Sequence, residues 1–271
     1  MQAAYYDTYG DPSVLRYGEF ADPKVGPESV LIRAHAASVN PVDWKIMAGY
    51  LDAAIYTDFP IIPGWDLAGT VEAVGPAVEE FAPGDSVYGY VRMDLVKMGT
   101  IATLVSAPVR TIAKAPSSLS PTDAASVPLA GLTAYQALIH KLDVGANDTV
   151  LINSGAGGVG IFAIQLAVHQ GARVLAVGSP KNHEFLAALG AEPIPYGEDF
   201  DNAISSHASA GIDVLFDLRG GEDLDASLRH LRPGGRIASI ADGRVVGMKG
   251  HYIFVRPDRA DLEALGTLID Q

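Results

Sequence analysis

Cysteine is absent from the 271 residues. That excludes disulfides, every thiolate metal site and thiol nucleophilic catalysis. Positive charge is scarce: 19 Lys and Arg stand against 32 Asp and Glu, a formal net charge of −13. A chain of that sign repels phosphate backbones and anionic lipids, so neither nucleic acid nor a membrane is expected as a partner. Every long apolar run is broken by Gly, Pro or charge, so none reaches the roughly 20 residues a bilayer span needs. The start, Met1-Gln2-Ala3-Ala4-Tyr5-Tyr6, lacks a basic segment leading into an apolar one, and a cytoplasmic location is expected. The seven histidines (35, 140, 169, 183, 207, 230, 251) include no short pair at metal-ligand spacing.

Against these absences, 48% of residues are hydrophobic, enough for a well-buried core in a chain long enough for two domains. The most informative segment is Thr149-Val150-Leu151-Ile152-Asn153 followed by Ser154-Gly155-Ala156-Gly157-Gly158-Val159-Gly160. An apolar strand runs into a glycine cluster, and Ile161, Phe162, Ile164, Leu166 and Val168 continue at helical spacing. Gly155, Gly157 and Gly160 have the G-x-G-x-x-G spacing. In that motif the first glycine turns the chain, the second admits a pyrophosphate, and the third lets helix and strand pack closely. The helix start adds unpaired N–H groups and partial positive charge.

The next strand, Ala172 to Val177, ends at Gly178-Ser179-Pro180-Lys181-Asn182-His183. An NAD site places Asp or Glu about there to accept from the ribose 2′-OH. No carboxylate stands in this stretch. Ser179 and Lys181 offer a hydroxyl and a cation that suit a 2′-phosphate, so NADPH is the expected cofactor; the alternative for Lys181 is a solvated helix-start residue.

The pattern divides near residue 120. Before it, short strand-like segments such as Val30–Ala34 and Thr70–Val74 lie between Pro63-Gly64, Gly75-Pro76 and Pro83-Gly84 turns, a β-rich, barrel-like pattern. After it, helix-like stretches at 128–142 and 182–189 alternate with strands at 149–153, 173–178, 213–217 and 235–240, and Tyr252 to Val255 reads as a sixth strand. Such alternation predicts a doubly wound parallel sheet with ligands at the strand carboxyl ends, which points to Gly178, Asp217 to Gly221 and Ile240.

The β-rich N-terminal part, Ala130-Gly131-Leu132-Thr133-Ala134-Tyr135-Gln136-Ala137-Leu138 and the glycine loop together resemble the medium-chain dehydrogenase/reductase superfamily. Ser38-Val39-Asn40-Pro41-Val42-Asp43-Trp44-Lys45 and Pro63-Gly64-Trp65-Asp66-Leu67-Ala68-Gly69 resemble its zinc-independent quinone oxidoreductase and enoyl reductase branch. The resemblance implies a GroES-like β-barrel domain over 1–120 and a Rossmann NADPH-binding domain over 121–271. Zinc-dependent relatives carry a Cys near Asn40 to Asp43 and Gly-His-Glu where this chain has Gly64-Trp65-Asp66, so no metal is expected. Without a Lewis acid, the natural chemistry is hydride donation to an activated acceptor, a quinone or an α,β-unsaturated carbonyl.

By the same resemblance, Asn40 and Thr133 face the nicotinamide end and Ala156, Gly157, Gly158 and Val159 the pyrophosphate. Ser179, Lys181 and Tyr196 then surround the adenosine phosphate, and Ile240, Phe254 and Val255 line the nicotinamide pocket. For Thr133 and Tyr196 the competing readings are local helix bonding and simple packing. Tyr50 stands where some enoyl reductases place a proton donor; a wall residue is the alternative, and quinone reduction needs no dedicated acid. Asp66 reads as a turn-capping carboxylate, and Asp213 and Asp217 as structural residues of the fourth strand. Relatives continue past the helix Arg259 to Ile269, so the C-terminal return to the substrate domain is expected to be missing. Ser154, where relatives usually have Ala, and Thr103, where many have an acid, are further departures. A homodimer through the edge of the sixth strand is expected. A non-catalytic NADPH-binding protein, like the lens crystallins of this fold, is the alternative function.

Overall fold

The computed structural model describes residues 1–271. They form two compact units, Met1–Leu132 with Arg256–Gln271, and Thr133–Val255.

The first unit begins with an antiparallel pair, β1 (Gln2–Tyr5) and β2 (Arg16–Glu19). Then follow β3 (Ser29–Ser38), α1 (Pro41–Met47), β4 (Tyr56–Ile62), β5 (Asp66–Val74), β6 (Ser86–Tyr90), β7 (Leu95–Met98), β8 (Leu104–Pro108), β9 (Ile112–Lys114) and α2 (Pro121–Ala125). The main sheet is antiparallel in the order β8-β3-β5-β6-β9, and β4 pairs with β7. Alternation puts Val30, Ile32, Leu67, Val71, Val87, Val105 and Ile112 on one buried face. Gly69 is obligatory in that sheet: a Cβ there would lie 2.2 Å from the Arg33 carbonyl oxygen across the strand pair.

The boundary between the units falls within α3 (Pro128–Tyr135). The single helix expected over 128–142 instead continues as a π-helical segment, Gln136–Lys141. The second unit carries β10 (Thr149–Ile152), α4 (Gly158–His169), β11 (Arg173–Val177), α5 (His183–Ala188), β12 (Glu192–Ile194), α6 (Phe200–His207), β13 (Ile212–Asp217), α7 (Gly221–Leu228), β14 (Leu231–Ser239) and β15 (His251–Tyr252). All six strands are parallel in the order β12-β11-β10-β13-β14-β15, the doubly wound arrangement with its switch point beside β10. Leu151, Leu175, Ile194, Ile212, Leu215 and Ile237 build its core with Phe200, Ile204 and Leu224 from the helices. The sixth strand is shorter than expected: pairing covers only His251 and Tyr252, and Phe254 is exposed beyond it.

The two units divide the chain differently from the expected 1–120 and 121–271. The first unit extends past residue 120 to Leu132, because α2 packs on β3 and β5. α8 (Arg259–Asp270) belongs to the first unit and packs on β9. Tyr88 Oη donates to the Leu262 carbonyl (2.6 Å), Asp270 accepts from the backbone and hydroxyls of Ser117 and Ser118, and Arg259 pairs with Glu80 at 3.0 Å. These contacts join residues far apart in the chain, where local periodicity carries no signal.

Candidate active site

In the second unit the chain leaves β10 through Asn153 and turns at Ser154, which has φ +56°. The turn therefore falls on Ser154 and not on Gly155, a correction to the motif reading. Gly155 is required for another reason: its Cβ would lie 2.8 Å from the Ala176 Cβ, and its N–H donates to Val177 O at 2.8 Å. Gly160 fills its expected role, since a Cβ there would meet the carbonyl oxygens of Ser154 and Gly155 at 2.5 Å. Gly157 caps α4 without a side-chain bond, and the nearest atom to a Cβ there is 3.3 Å away. Ala156, Gly157 and Val159 are half-buried and Gly158 is exposed. A 12-residue helix thus starts at a glycine with no side-chain cap, an arrangement that suits a pyrophosphate.

At the end of β11, Gly178 is buried against Leu186, 2.7 Å from where its Cβ would be. Ser179 precedes a short 3-10 turn, accepting from Asn182 Nδ2 at 3.3 Å, and Lys181 is exposed on that turn. Tyr196 follows the adjacent strand β12, half-buried. The structure adds a cation that the sequence reading missed: the Arg219 guanidinium lies 5.1 Å from the Tyr196 ring centroid. Inspecting every strand end for Lys or Arg would have found it. Arg219 also pairs with Asp223 at 2.5 Å. A cavity of about 210 Å³ beside these strand ends is lined by Asn153, Val177, Tyr196, Asp201, Glu222 and Arg229, among others.

The carboxyl ends of β10, β13 and β14 are tied together by Asp217. It accepts from Asn153 Nδ2 (3.0 Å), Ser239 Oγ (2.5 Å) and Gly220 N (3.0 Å), while Ser227 Oγ donates to Asn153 Oδ1 at 3.0 Å. All four side chains are buried. The structural role expected of Asp217 is met, as is that of Asp213, which accepts from Thr149 N and pairs with Arg232. Ile240 follows β14 half-buried, its N–H bonded to the Asp217 carbonyl at 3.1 Å; Val255 is buried and Phe254 exposed after β15. Thr133 is buried in α3 at the start of this unit.

In the first unit, Asn40 caps α1. Its N–H donates to Asp43 Oδ2 at 2.7 Å, and Asp43 N donates to the Asn40 carbonyl at 3.0 Å. Its Nδ2 donates to Asp66 Oδ2 at 2.8 Å. Asp66 also accepts from Ser38 Oγ (2.9 Å) and Leu129 N (3.0 Å) and is fully buried. It is therefore no turn cap: it joins β3, β5, α1 and α3. Burial pushes its carboxyl up to about 7, against the lowering effect of these donors, and burial likewise raises Asp43 to about 6. Tyr50 is 72% exposed beyond α1, edge-to-face with Trp44 at 5.9 Å, with Lys45 Nζ 5.9 Å from the Trp44 ring. Tyr50 and Asn40 thus lie at opposite ends of one short helix, with Trp44 one turn from Asn40 on the same side.

The residues do not suit zinc. No group of three His, Cys, Asp or Glu converges anywhere, and Asp66 is already engaged by three neutral donors.

Comparison with known proteins gives a consistent result. Residues 26–117 match the family described as the alcohol dehydrogenase GroES-like domain, and residues 158–255 that described as zinc-binding dehydrogenase. The chain is 32% identical over 250 residues to a chloroplast envelope quinone oxidoreductase homolog of Arabidopsis thaliana, covering 90% of this chain and 75% of that protein. It is also 32% identical over 249 residues to an NADPH-dependent alkenal/one oxidoreductase of the same plant, covering 89% of this chain and 62% of that one. The solved structure of a quinone oxidoreductase from Coxiella burnetii superposes with a TM-score of 0.87 at 36% identity, covering 100% of this chain and 87% of that chain.

Proposed function

Because the chain belongs to the quinone oxidoreductase and enoyl reductase branch of the medium-chain dehydrogenase/reductase superfamily, we propose that it is an NADPH-dependent, zinc-independent reductase of quinones or α,β-unsaturated carbonyls. The observation that carries the reading is the start of α4 at Gly157 without a side-chain cap, behind a glycine-rich loop, next to a β11 end that holds Ser179 and Lys181 and no carboxylate.

When bound, the dihydronicotinamide supplies a hydride, so that acceptor, NADPH and one proton give reduced acceptor and NADP⁺. The chain's residues bind and orient. Ala156 to Val159 hold the pyrophosphate with backbone N–H groups, and Gly155 and Gly160 keep helix and strands close enough to present them. Ser179, Lys181 and Tyr196 hold the 2′-phosphate side, with Arg219 as an added cation beside Tyr196. Thr133, Ile240, Phe254 and Val255 line the nicotinamide end. Tyr50 donates a proton only where the acceptor is an enone; the quinone reaction draws its proton from water. A homodimer through the open edge at β15 and a cytoplasmic location complete the reading, tested by sedimentation and by fractionation.

The deciding experiment follows NADPH absorbance with a benzoquinone, a naphthoquinone, a conjugated enone and an enoyl thioester, repeated with NADH. Turnover of one class, faster with NADPH, is the expected result. Tight NADPH binding without oxidation by any acceptor would replace the enzyme reading with a binding one.

A further inference from the structure

Tyr50 is exposed, and the ring it meets is that of Trp44, itself exposed. Its backbone belongs to the turn over 48–55 that follows α1. Gly49, at φ +79°, reverses the chain in the left-handed region that glycine enters without steric cost. The bonds of the turn include Gly49 N to Ile46 O (2.8 Å), Tyr50 N to Lys45 O (3.0 Å) and Ile55 N to Leu51 O (2.9 Å). They close the turn on itself and on α1 but reach no strand.

The bonds that do reach a strand run through the N-terminal segment. The Tyr9 ring packs against the Gly49 backbone, where a Cβ would lie 3.2 Å from Tyr9 Cγ. The same ring meets Phe59 of β4 edge to face, with centroids 4.9 Å apart. Tyr9 Oη stands 2.5 Å from Asp52 Oδ1 and 2.6 Å from Thr57 Oγ1 of β4. A carboxylate only accepts, so the single phenol hydrogen goes to Asp52 and the Thr57 hydroxyl donates to Tyr9 Oη. Burial, helped by Asp52, raises the Tyr9 phenol above its ordinary value, so that hydrogen is retained. Beside it, Gly10 N donates to Met47 O at the end of α1 (2.8 Å). One side chain thus grips the turn on both sides of Tyr50 and ties it to β4.

We infer that Tyr9 is a positioning residue: through Gly49 and Asp52 it fixes the turn against β4 and so sets where the Tyr50 phenol stands. The inference rests on the proposed role of Tyr50 as proton donor to an enone. A phenol that gives up a proton must stand within hydrogen-bond reach of the atom that takes it, and a misplacement of about 1 Å can cost about a hundredfold. Quinone reduction draws its proton from water and makes no such demand. Tyr9 therefore bears on one class of acceptor and not on the other.

The test uses two readouts on the full chain. Of the two tryptophans, Trp65 is buried and Trp44 exposed, so acrylamide quenching of fluorescence reports Trp44 and the Tyr50 ring against it. Tyr9→Phe and Asp52→Ala remove opposite ends of one bond. Each is expected to raise the quenching constant toward that of Tyr50→Ala, which uncovers Trp44 outright, and Tyr9→Phe/Asp52→Ala should go no further than either alone. In NADPH turnover, Tyr9→Phe is expected to lower kcat for a conjugated enone about tenfold, to change the enone KM less than about twofold, and to keep benzoquinone turnover within about twofold. Tyr9→Phe/Tyr50→Phe should reduce the enone no more slowly than Tyr50→Phe alone, because one residue acts through the other. Quenching at the wild-type value in both single variants, or equal losses with enone and quinone, overturns the inference. If the wild type reduces no enone, or Tyr50→Phe reduces it at full rate, the proposed proton donor fails and quenching alone decides whether Tyr9 holds the turn. If Tyr9→Phe does not fold, Asp52→Ala decides it by the same quenching.

Discussion

At the scale of single residues, the glycine loop shows how one motif can be right in spacing and different in cause. Gly155 is constrained by Ala176 and Leu186 across β11 and α5, while Ser154 supplies the left-handed turn. Gly160 has no such latitude. Gly160→Ala places a Cβ at 2.5 Å from two carbonyl oxygens, and backbone must shift to admit it; a loss of about 1–3 kcal/mol in a urea titration is expected, together with weaker NADPH binding. Lys181→Ala removes one exposed cation from the proposed 2′-phosphate side. It should weaken NADPH about tenfold, roughly 1.4 kcal/mol, and leave NADH unchanged, as measured by fluorescence titration of both cofactors. Asp66 and Asp43 set a pH dependence of stability. Both carboxyls are raised in the folded protein, so they bind more protons folded than unfolded; their contribution to stability is full below about pH 4 and declines as pH rises toward 6 to 7. Glu192 and Asp242 are held near 2 by their Arg and backbone partners and act only below that window. Urea midpoints should therefore fall between pH 5 and 7.5, and Asp66→Asn should flatten most of the decline.

At the scale of elements, β10, β11, β13 and α8 were legible because their apolar patterns are local and strongly periodic. The third parallel strand, β12, was not: three residues including Pro193 offer no period. The π-helical segment was also illegible, since Gln136 to Lys141 has ordinary helix formers and its geometry depends on what surrounds it. The role of α8 was hidden for the same reason. Tyr88 and Leu262 are 174 positions apart, and their bond is buried. Tyr88→Phe leaves the Leu262 carbonyl without this donor, so a loss of about 1–3 kcal/mol in thermal or urea unfolding is expected, with NADPH affinity preserved.

At the scale of the whole molecule, the parallel sheet of the second unit followed from β/α alternation, and its edge at β15 remains open. Pairing of two such edges predicts a sedimentation mass twice the 28.4 kDa of the chain and its loss in Tyr252→Pro, which removes an edge N–H. The sequence by itself determined the parallel sheet, the glycine loop with its helix, the lack of thiol chemistry and the family resemblance, since each is written in residues close together in the chain. Only the tertiary structure decided where the units divide, that α8 returns to the first of them, that Arg219 stands against Tyr196, and that Asp66 is the buried partner of Asn40 and not a turn cap. Those outcomes depend on contacts between residues 23 to 174 positions apart, where burial and hydrogen-bond satisfaction across the fold, and not local propensity, select the partner.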